Sequence, residues 1–432
     1  MFKLGAFSIN ETGNLTIGGC DSLDLAQEYG TPLYVIDENE IRSNCRQYKE
    51  ALEDCYSSGG MIVYAGKAFL TKEMCRIINS EGLGLDTVSG GELYTAIKAE
   101  FPADKIYYHG NYKSETEIKM AIEYGIRCIV LDNEDDMYRV SEIATQFGKT
   151  VNVAIRLKPG INAHTHDFVM TGQIDSKFGV GIESGDAFDL VCKVIEKTNL
   201  NLIGIHCHIG SQIFDYGPFE TTSMIMLKFI KKVIDEKNYV IKELNLGGGY
   251  GVRYVEGQNP VSFGTFIRAI CVKVKEFCAE NNMDVPFIIM EPGRSIVASA
   301  GATLYKTVCI KDIENVRKYA IVDGSMADSP RYILYGAEYD CLIASRPFVQ
   351  KTEMVTIAGR TCESGDIIIK DIMMPKIETN DVLAVLKTGA YNYSMSSNYN
   401  RLPRPAVVLV NEGKAKVVVK AETYEDVLRN DL

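Results

Sequence analysis

MIVYAGKAFLTKEMCRIINSEGLGLDTVSGG, residues 61–91, contains the unit on which the fold turns. An apolar run, Ile62–Ala65, ends in a glycine and a lysine. KEMCRIINSEG (72–82) follows, with apolar residues at helical spacing and a closing glycine, and a second apolar run, Leu83–Asp86, completes the unit. Runs this short and this apolar read as strands buried on both faces, and a glycine just past an amphipathic stretch is a helix stop. The same texture recurs at Ile106–His109, Cys128–Leu131, Val151–Leu157, Leu202–His208, Glu243–Leu246 and Phe287–Met290, with helix-like stretches such as SETEIKMAIEYG (114–125) between them. The repeat is one of pattern, not of residue identity. Eight alternations over about 230 residues suit a (β/α)8 barrel, which typically takes ~250 residues. A doubly wound sheet is the rival, but it seldom needs eight successive units.

From about residue 300 the texture changes. ATLYKTVCIKDI (302–313), RKYAIVDG (317–324), DVLAVLKTG (381–389) and RPAVVLVNEGKAKVVVK (404–420) are alternating or β-branched, with turn residues between them, and read as an all-β domain. The first thirty residues, with NLTIGG (14–19) near their middle, add a strand to it, and ETYEDVLRNDL (422–432) reads as a closing helix. The expected organisation is a barrel over residues 31–297 and a β-sandwich or barrel domain made of 1–30 and 298–432.

The 432 residues are too many for one ordinary core. With 46% hydrophobic and 24% charged residues the composition is globular. A formal net charge of −11 without long single-sign runs argues against nucleic acid and anionic membrane as partners. Twelve scattered cysteines without a CxxC pair suit reduced thiols in a cytoplasmic protein. No basic segment followed by an apolar core opens the chain, and no apolar stretch reaches the ~20 residues of a membrane helix.

A barrel of this kind carries its site at the C-terminal ends of its strands. Reading only those ends yields Lys67, Asp86, His109, Arg156, His206 and His208, the triple glycine Gly247–Gly249, and Glu291 with Arg294 in EPGR. A lysine, a glycine loop, a carboxylate and an arginine on one rim are what pyridoxal phosphate requires: a Schiff-base amine, a phosphate cradle, a partner for the pyridine nitrogen, and a group to hold the ring flat. Tyr64, Ala65, Ala68 and Phe69 would desolvate the amine of Lys67. Gly247–Gly249 offer bare N–H groups on the loop after the seventh strand, where barrels commonly hold phosphate. His206 and His208 would share one face of a strand, so that either can lie against the ring. Each motif has a plainer reading: a surface lysine, a tight turn, a surface ion pair, or a zinc-binding HxH pair. Against zinc stand only five histidines and the absence of a further carboxylate–histidine set at the other strand ends.

The chain resembles the diaminopimelate decarboxylases of the alanine-racemase-fold pyridoxal-phosphate enzymes. The matching stretches, between Tyr29 and Arg404, are YGTPLYVID, YAGKAF, LDTVSGGEL, HGNYKS, RLKPGINAHTH, DSKFGVG, GIHCHIGSQI, LNLGGGYG, EPGRSIVA, VDGSMADSPRYILYGAEY, GRTCESGD and TGAYNYSMSSNYN. Tyr112 in HGNYKS, where the family often has asparagine, and the variant DGSMAD are its departures from the family pattern. The resemblance implies pyridoxal 5'-phosphate as cofactor and conversion of meso-diaminopimelate to L-lysine and CO2, the last step of lysine biosynthesis. It implies that Lys67 forms the Schiff base, that His208 stacks on the ring, and that Ser211, Gly248 and Gly249 approach the phosphate. Glu291 would pair with the ring nitrogen and Arg294 would contact phosphate and substrate. Arg331 and Tyr335 would hold the distal carboxylate, and Tyr391 would touch cofactor and substrate. Cys362, a candidate proton donor, and Glu363, a partner for the distal ammonium, would reach in from the second subunit of a homodimer. Three alternatives remain: a decarboxylase of another basic amino acid or polyamine precursor, an alanine racemase, and a non-catalytic relative. Glu291 speaks against the racemase, which places an arginine at the ring nitrogen; Lys67, the glycine loop and EPGR speak against the last.

Overall fold

The structure, a computed structural model, describes residues 3–161 and 176–432. The last five residues of RLKPGINAHTH and the first residue of DSKFGVG lie outside the described residues. The chain divides into two compact units, Asn44–Gly251 with Asn259–Gly293, and Met1–Ser43 with Val252–Gln258 and Arg294–Leu432.

The first unit contains the eight expected strands: Gly60–Ala65 (β1), Gly84–Thr87 (β2), Ile106–Tyr108 (β3), Cys128–Leu131 (β4), Val151–Lys158 (β5), Leu200–His206 (β6), Glu243–Asn245 (β7) and Phe287–Met290 (β8). All pair in parallel with their sequence neighbours, and β8 returns to β1 through Ile288↔Gly60, so the sheet is a closed barrel. An apolar cluster of barrel-strand side chains includes Val63, Tyr107, Val130, Ala154 and Ile289. The helices stop and start where local chemistry says they should. Thr71 caps Lys72–Ser80 by accepting from the Met74 N–H. Ser114 and Glu117 form a capping box on Glu115–Tyr124, which ends at Gly125 in the left-handed region (φ 76°).

At the N-terminal ends of the strands the barrel interior is polar. The Tyr107 hydroxyl donates to Glu243 Oε2 at 2.9 Å, Arg127 Nε donates to the Tyr107 hydroxyl at 2.6 Å, and Arg127 Nη2 pairs with Glu243 Oε1. Tyr107 lies on β3 and Glu243 on β7, which stand half a circumference apart in the strand order.

The second unit is built on a nine-stranded sheet in which the long strand Gly301–Ile313 is central. Its first half pairs with Leu33–Asp37 and Val382–Leu386, its second half with Arg317–Val322. The sequence places Leu33–Asp37 in the barrel; the structure corrects this boundary. All five residues are buried, and the strand is held between Gly301–Ile313 and Ala406–Asn411. A run buried on both faces looks the same from sequence in a barrel or in a two-sided sheet. Leu15–Ile17, in NLTIGG, does not join the large sheet either. It sits in a separate four-stranded antiparallel meander whose Phe7, Leu15 and Ile17 pack into the core with Leu33, Val35, Leu304 and Val408. The closing helix is Tyr424–Leu428, capped by Thr423 and Asp426.

Candidate active site

Closing the barrel brings the ends of β2, β3, β6, β7 and β8 around Glu291, the residue after β8. Its two carboxylate oxygens are occupied separately. Oε1 accepts from Asn245 Nδ2 at 2.6 Å and lies 2.9 Å from His109 Nε2; Oε2 lies 3.1 Å from His206 Nε2. Asp86, at the end of β2, sits 3.8 Å from the same His109 nitrogen. All five side chains are buried. Burial works to raise the Glu291 carboxyl, but His109 and His206 outweigh it and hold it well below the usual carboxylate range. Burial likewise works against charge on His109, and the Glu291 and Asp86 carboxylates reverse it, so the imidazole is raised. Burial dominates at His206, pushed down to about 4, and at Asp86, whose carboxyl is raised. The expectation that no further carboxylate–histidine set exists is therefore corrected. His109, His206 and Glu291 bring ligand-type atoms within 4.8 Å of one another. His206 Nε2 hydrogen-bonds Oε2, and His109 Nε2 faces Oε1 at ion-pair distance without making a hydrogen bond, which sets both rings to serve the carboxylate.

The glycine loop follows β7. A Cβ on Gly248 would lie 2.0 Å from the Glu291 carbonyl oxygen, and one on Gly249 would lie 2.2 Å from that of Gly210. Only glycine fits this approach of β7's loop to its neighbours. Asn245 bonds both ends of the site, since its Oδ1 accepts from the Gly247 N–H at 2.9 Å while its amide holds Glu291. The Gly248 N–H points at His208 Nδ1, 3.3 Å away. Ile213 N–H donates to the Gly249 carbonyl at 3.0 Å, which sets the 210–213 segment carrying Ser211 beside the loop. Strand β6 ends at His206, so the alternation that would put His206 and His208 on one face does not extend to His208: one ring serves Glu291, the other the glycine loop. Lys67 stands in the turn after β1. Tyr64, Ala65, Ala68 and Phe69 are buried, but Lys67 itself is exposed, which corrects the expectation of a desolvated amine.

The second unit gathers a different set. Arg294 donates to the Tyr254 hydroxyl at 3.0 Å, and its guanidinium lies 4.8 Å from the Tyr391 ring centroid. Arg331, buried at the start of the short helix Arg331–Tyr335, lies 5.1 Å from the same ring and 5.2 Å from that of Tyr335. Tyr391 is thus flanked by both arginines, on a backbone held at φ 68°, a conformation rare outside glycine. The Arg331 Nε has no hydrogen-bond partner among the described residues. In GRTCESGD, the buried Asp366 accepts from the Met326 and Thr361 N–H groups, both at 2.7 Å, and anchors the turn. Cys362 and Glu363 are exposed on that turn, with the Cys362 N–H bonded to Asn400 Oδ1 at 2.8 Å.

The barrel residues fit pyridoxal phosphate. A buried, ionised carboxylate suits a pyridinium nitrogen, a glycine loop lies one strand away, and an exposed lysine amine stands on the same rim. His206 Nδ1, His109 Nε2 and Asp86 Oδ1 are buried polar atoms without a hydrogen-bond partner among the described residues. Sequence reasoning listed Asp86 and His109 as strand-end residues without giving them partners, and passed over Asn245. The one signal for Asn245 was a polar residue closing an apolar run just before the glycines.

Comparison with known proteins agrees. The family described as "Pyridoxal-dependent decarboxylase, pyridoxal binding domain" matches residues 38–298. Fold and site thus define a pyridoxal-dependent decarboxylase. The diaminopimelate decarboxylase of Bacillus subtilis is 45% identical over 100% of this chain and 98% of its own length, and that of Mycobacterium tuberculosis is 40% identical over 97% and 95%. The crystal structure of diaminopimelate decarboxylase from M. jannaschii in complex with L-lysine superposes with a TM-score of 0.93 at 35% identity, covering 100% of this chain and 99% of that one. The chain belongs to the diaminopimelate decarboxylase family.

Proposed function

We infer that this chain decarboxylates meso-diaminopimelate to L-lysine and CO2. The observation that carries the reading is Glu291: a buried carboxylate, ionised by its surroundings, at the end of β8. When bound, pyridoxal phosphate supplies an electron sink whose ring must be protonated to accept the electrons left by CO2. Glu291 favours that protonated ring nitrogen, a role the arginine of a racemase cannot fill. Lys67 would hold the cofactor through its amine. His208 would lie against the ring, and Ser211, Gly248 and Gly249 would hold the phosphate. Arg294 contributes positive charge toward phosphate and substrate, and Tyr391 orients both.

Selection of diaminopimelate falls to its distal amino-acid group. Arg331 is suited to the distal carboxylate, since its guanidinium is buried and its Nε lacks a partner among the described residues, and Tyr335 adds a hydroxyl. Analogues without that carboxylate leave the guanidinium unpaired and are rejected. Cys362 donates the proton that replaces CO2 and Glu363 receives the distal ammonium, both offered to the partner's site in a homodimer. Their exposure on a turn anchored by Asp366 supports this role. No described helix is long and apolar enough to cross a membrane, and a biosynthetic activity of this kind suits the cytoplasm. The test is CO2 release from a panel of diaminopimelate, lysine, ornithine and arginine. Release from diaminopimelate alone is expected; faster release from ornithine or lysine would transfer the chain to a polyamine-type decarboxylase.

A further inference from the structure

We propose that His109 and His206 are positioning residues that clamp Glu291, one ring nitrogen on each carboxylate oxygen, and that Asp86 balances His109 so that Glu291 stays available to the cofactor's ring. The proposal rests on Glu291 being the ring-nitrogen partner.

The neighbours of the two carboxylate oxygens are unequal. Oε1 has two neighbours, Asn245 Nδ2 at 2.6 Å and His109 Nε2 at 2.9 Å; Oε2 has one, His206 Nε2 at 3.1 Å. Each oxygen thus accepts one hydrogen bond, Oε1 from Asn245 and Oε2 from His206, while His109 Nε2 lies against Oε1 as a charge neighbour without a hydrogen bond, and the carboxylate keeps acceptor capacity for the ring nitrogen. For His206 to donate from Nε2 while neutral, Nδ1 must be bare. Nδ1 is the buried atom that has no partner among the described residues, and a bare lone pair is cheaper to bury there than an unpaired N–H. Two rings at different positions around the barrel, with centroids 4.7 Å apart and edge to face, leave Glu291 little freedom to turn.

Charge accounts for Asp86. A cationic His109 beside Glu291 would compete with a pyridinium for the same carboxylate. Asp86 Oδ1, 3.8 Å from the His109 nitrogen, supplies a second negative charge. Asp86 thus draws part of the charge of His109 away from Glu291 and leaves that carboxylate freer to pair with a pyridinium. The other charged groups facing Asp86 are Arg156 from β5, Lys67 from the turn after β1 and Glu92 from the helix Gly90–Lys98. Arg156 is in turn drawn to Asp132.

The experiment combines substitutions with a spectroscopic reading. Only five histidines occur in the chain, so imidazole 15N resonances can be assigned by single substitution. In the wild-type protein without cofactor, His109 should carry protons on both nitrogens near neutral pH and His206 on Nε2 alone. In the loaded enzyme, H109Q and H206Q should retain the visible absorption of bound cofactor and hold KM within about threefold, while kcat falls roughly 10- to 100-fold. In an E291Q background the same substitutions should cost less than about threefold, because nothing is left to clamp. A polar filler of the barrel would instead lose the same factor in both backgrounds, and that result overturns the proposal, as does a neutral His109 in the apoprotein. Should H109Q fail to fold, the wild-type resonances and the H206Q cycle still decide. If E291Q alone leaves kcat unchanged, the ring-partner reading falls; if E291Q is costly and the histidine variants are not, only the clamp falls.

Discussion

Replacing Arg331 by alanine separates substrate recognition from cofactor chemistry. The side chain is 7% exposed, and its guanidinium rests against the Tyr335 and Tyr391 rings at 5.2 and 5.1 Å with Nε unpartnered among the described residues. A buried cation short of partners is costly, and an incoming carboxylate removes that cost through a charge-assisted, bidentate contact. Truncating one member of a buried charge pair typically costs about 2–5 kcal/mol. The side chain is not fully enclosed, so the lower part of that range applies, about 2–3 kcal/mol, or roughly 30- to 150-fold in affinity at 1.4 kcal/mol per decade. The fold itself should lose only the two ring contacts, about 1 kcal/mol or less each. The assay is CO2 release against diaminopimelate concentration, with the visible absorption of bound cofactor read on the same samples. KM should rise by the stated factor with cofactor retained, and Arg331→Lys, which keeps the charge but not the fork, should fall between. An unchanged KM, or cofactor lost in step with activity, would refute the assignment and make Arg331 a structural residue.

Lys67→Ala should abolish the visible absorption of covalently held cofactor along with turnover; retention of both would remove Lys67 from its role. Lys67→Ala and Cys362→Ala should each be nearly inactive, yet after complete subunit exchange a mixture should recover up to about a quarter of wild-type activity, because half the dimers then hold one intact site. Exchange shown by mass spectrometry without recovered activity would mean that both residues serve the same chain. Gly248→Ala places a methyl 2.0 Å from the Glu291 carbonyl oxygen, so it should cost about 1–3 kcal/mol of stability through overpacking and weaken cofactor binding at least roughly tenfold, read by thermal melting and cofactor titration. Unaltered cofactor affinity would show that the loop does not form the cradle.

The eight barrel strands were legible because each is a short apolar run that ends in glycine or a polar corner, and because helix stops such as Gly125 follow local rules that tertiary structure does not override. The strand Leu33–Asp37 was misplaced because burial on both faces erases the periodicity that distinguishes one sheet from another. At the site, Lys67, Glu291 and the glycines could be read from position along the chain. The grouping of Asp86, His109, His206 and Asn245 around Glu291 could not. Those residues are separated by as much as 205 positions (86 to 291) and meet only when the sheet closes on itself. The exposure of Lys67 was hidden for a related reason: apolar neighbours in sequence alternate or turn in space, and Gly66 and Ala68 are buried while the residue between them is not.

The polar cross-brace at the other end of the barrel bears on how the chain completes its fold. Tyr107 and Glu243 belong to strands half a turn of the ring apart, so their 2.9 Å bond exists only when all eight strands are in place. In a half-assembled sheet with that end of the interior already dry, Glu243 would be a buried charge without Arg127 and Tyr107, a loss of the kind that costs about 3–5 kcal/mol when a buried pair is broken. The contact therefore works as a test of completeness that the folding chain applies to itself. It adds little to a closed barrel that apolar packing would not supply, but it penalises partial barrels, and so sharpens the all-or-none character of closure on which the convergence at Glu291 depends.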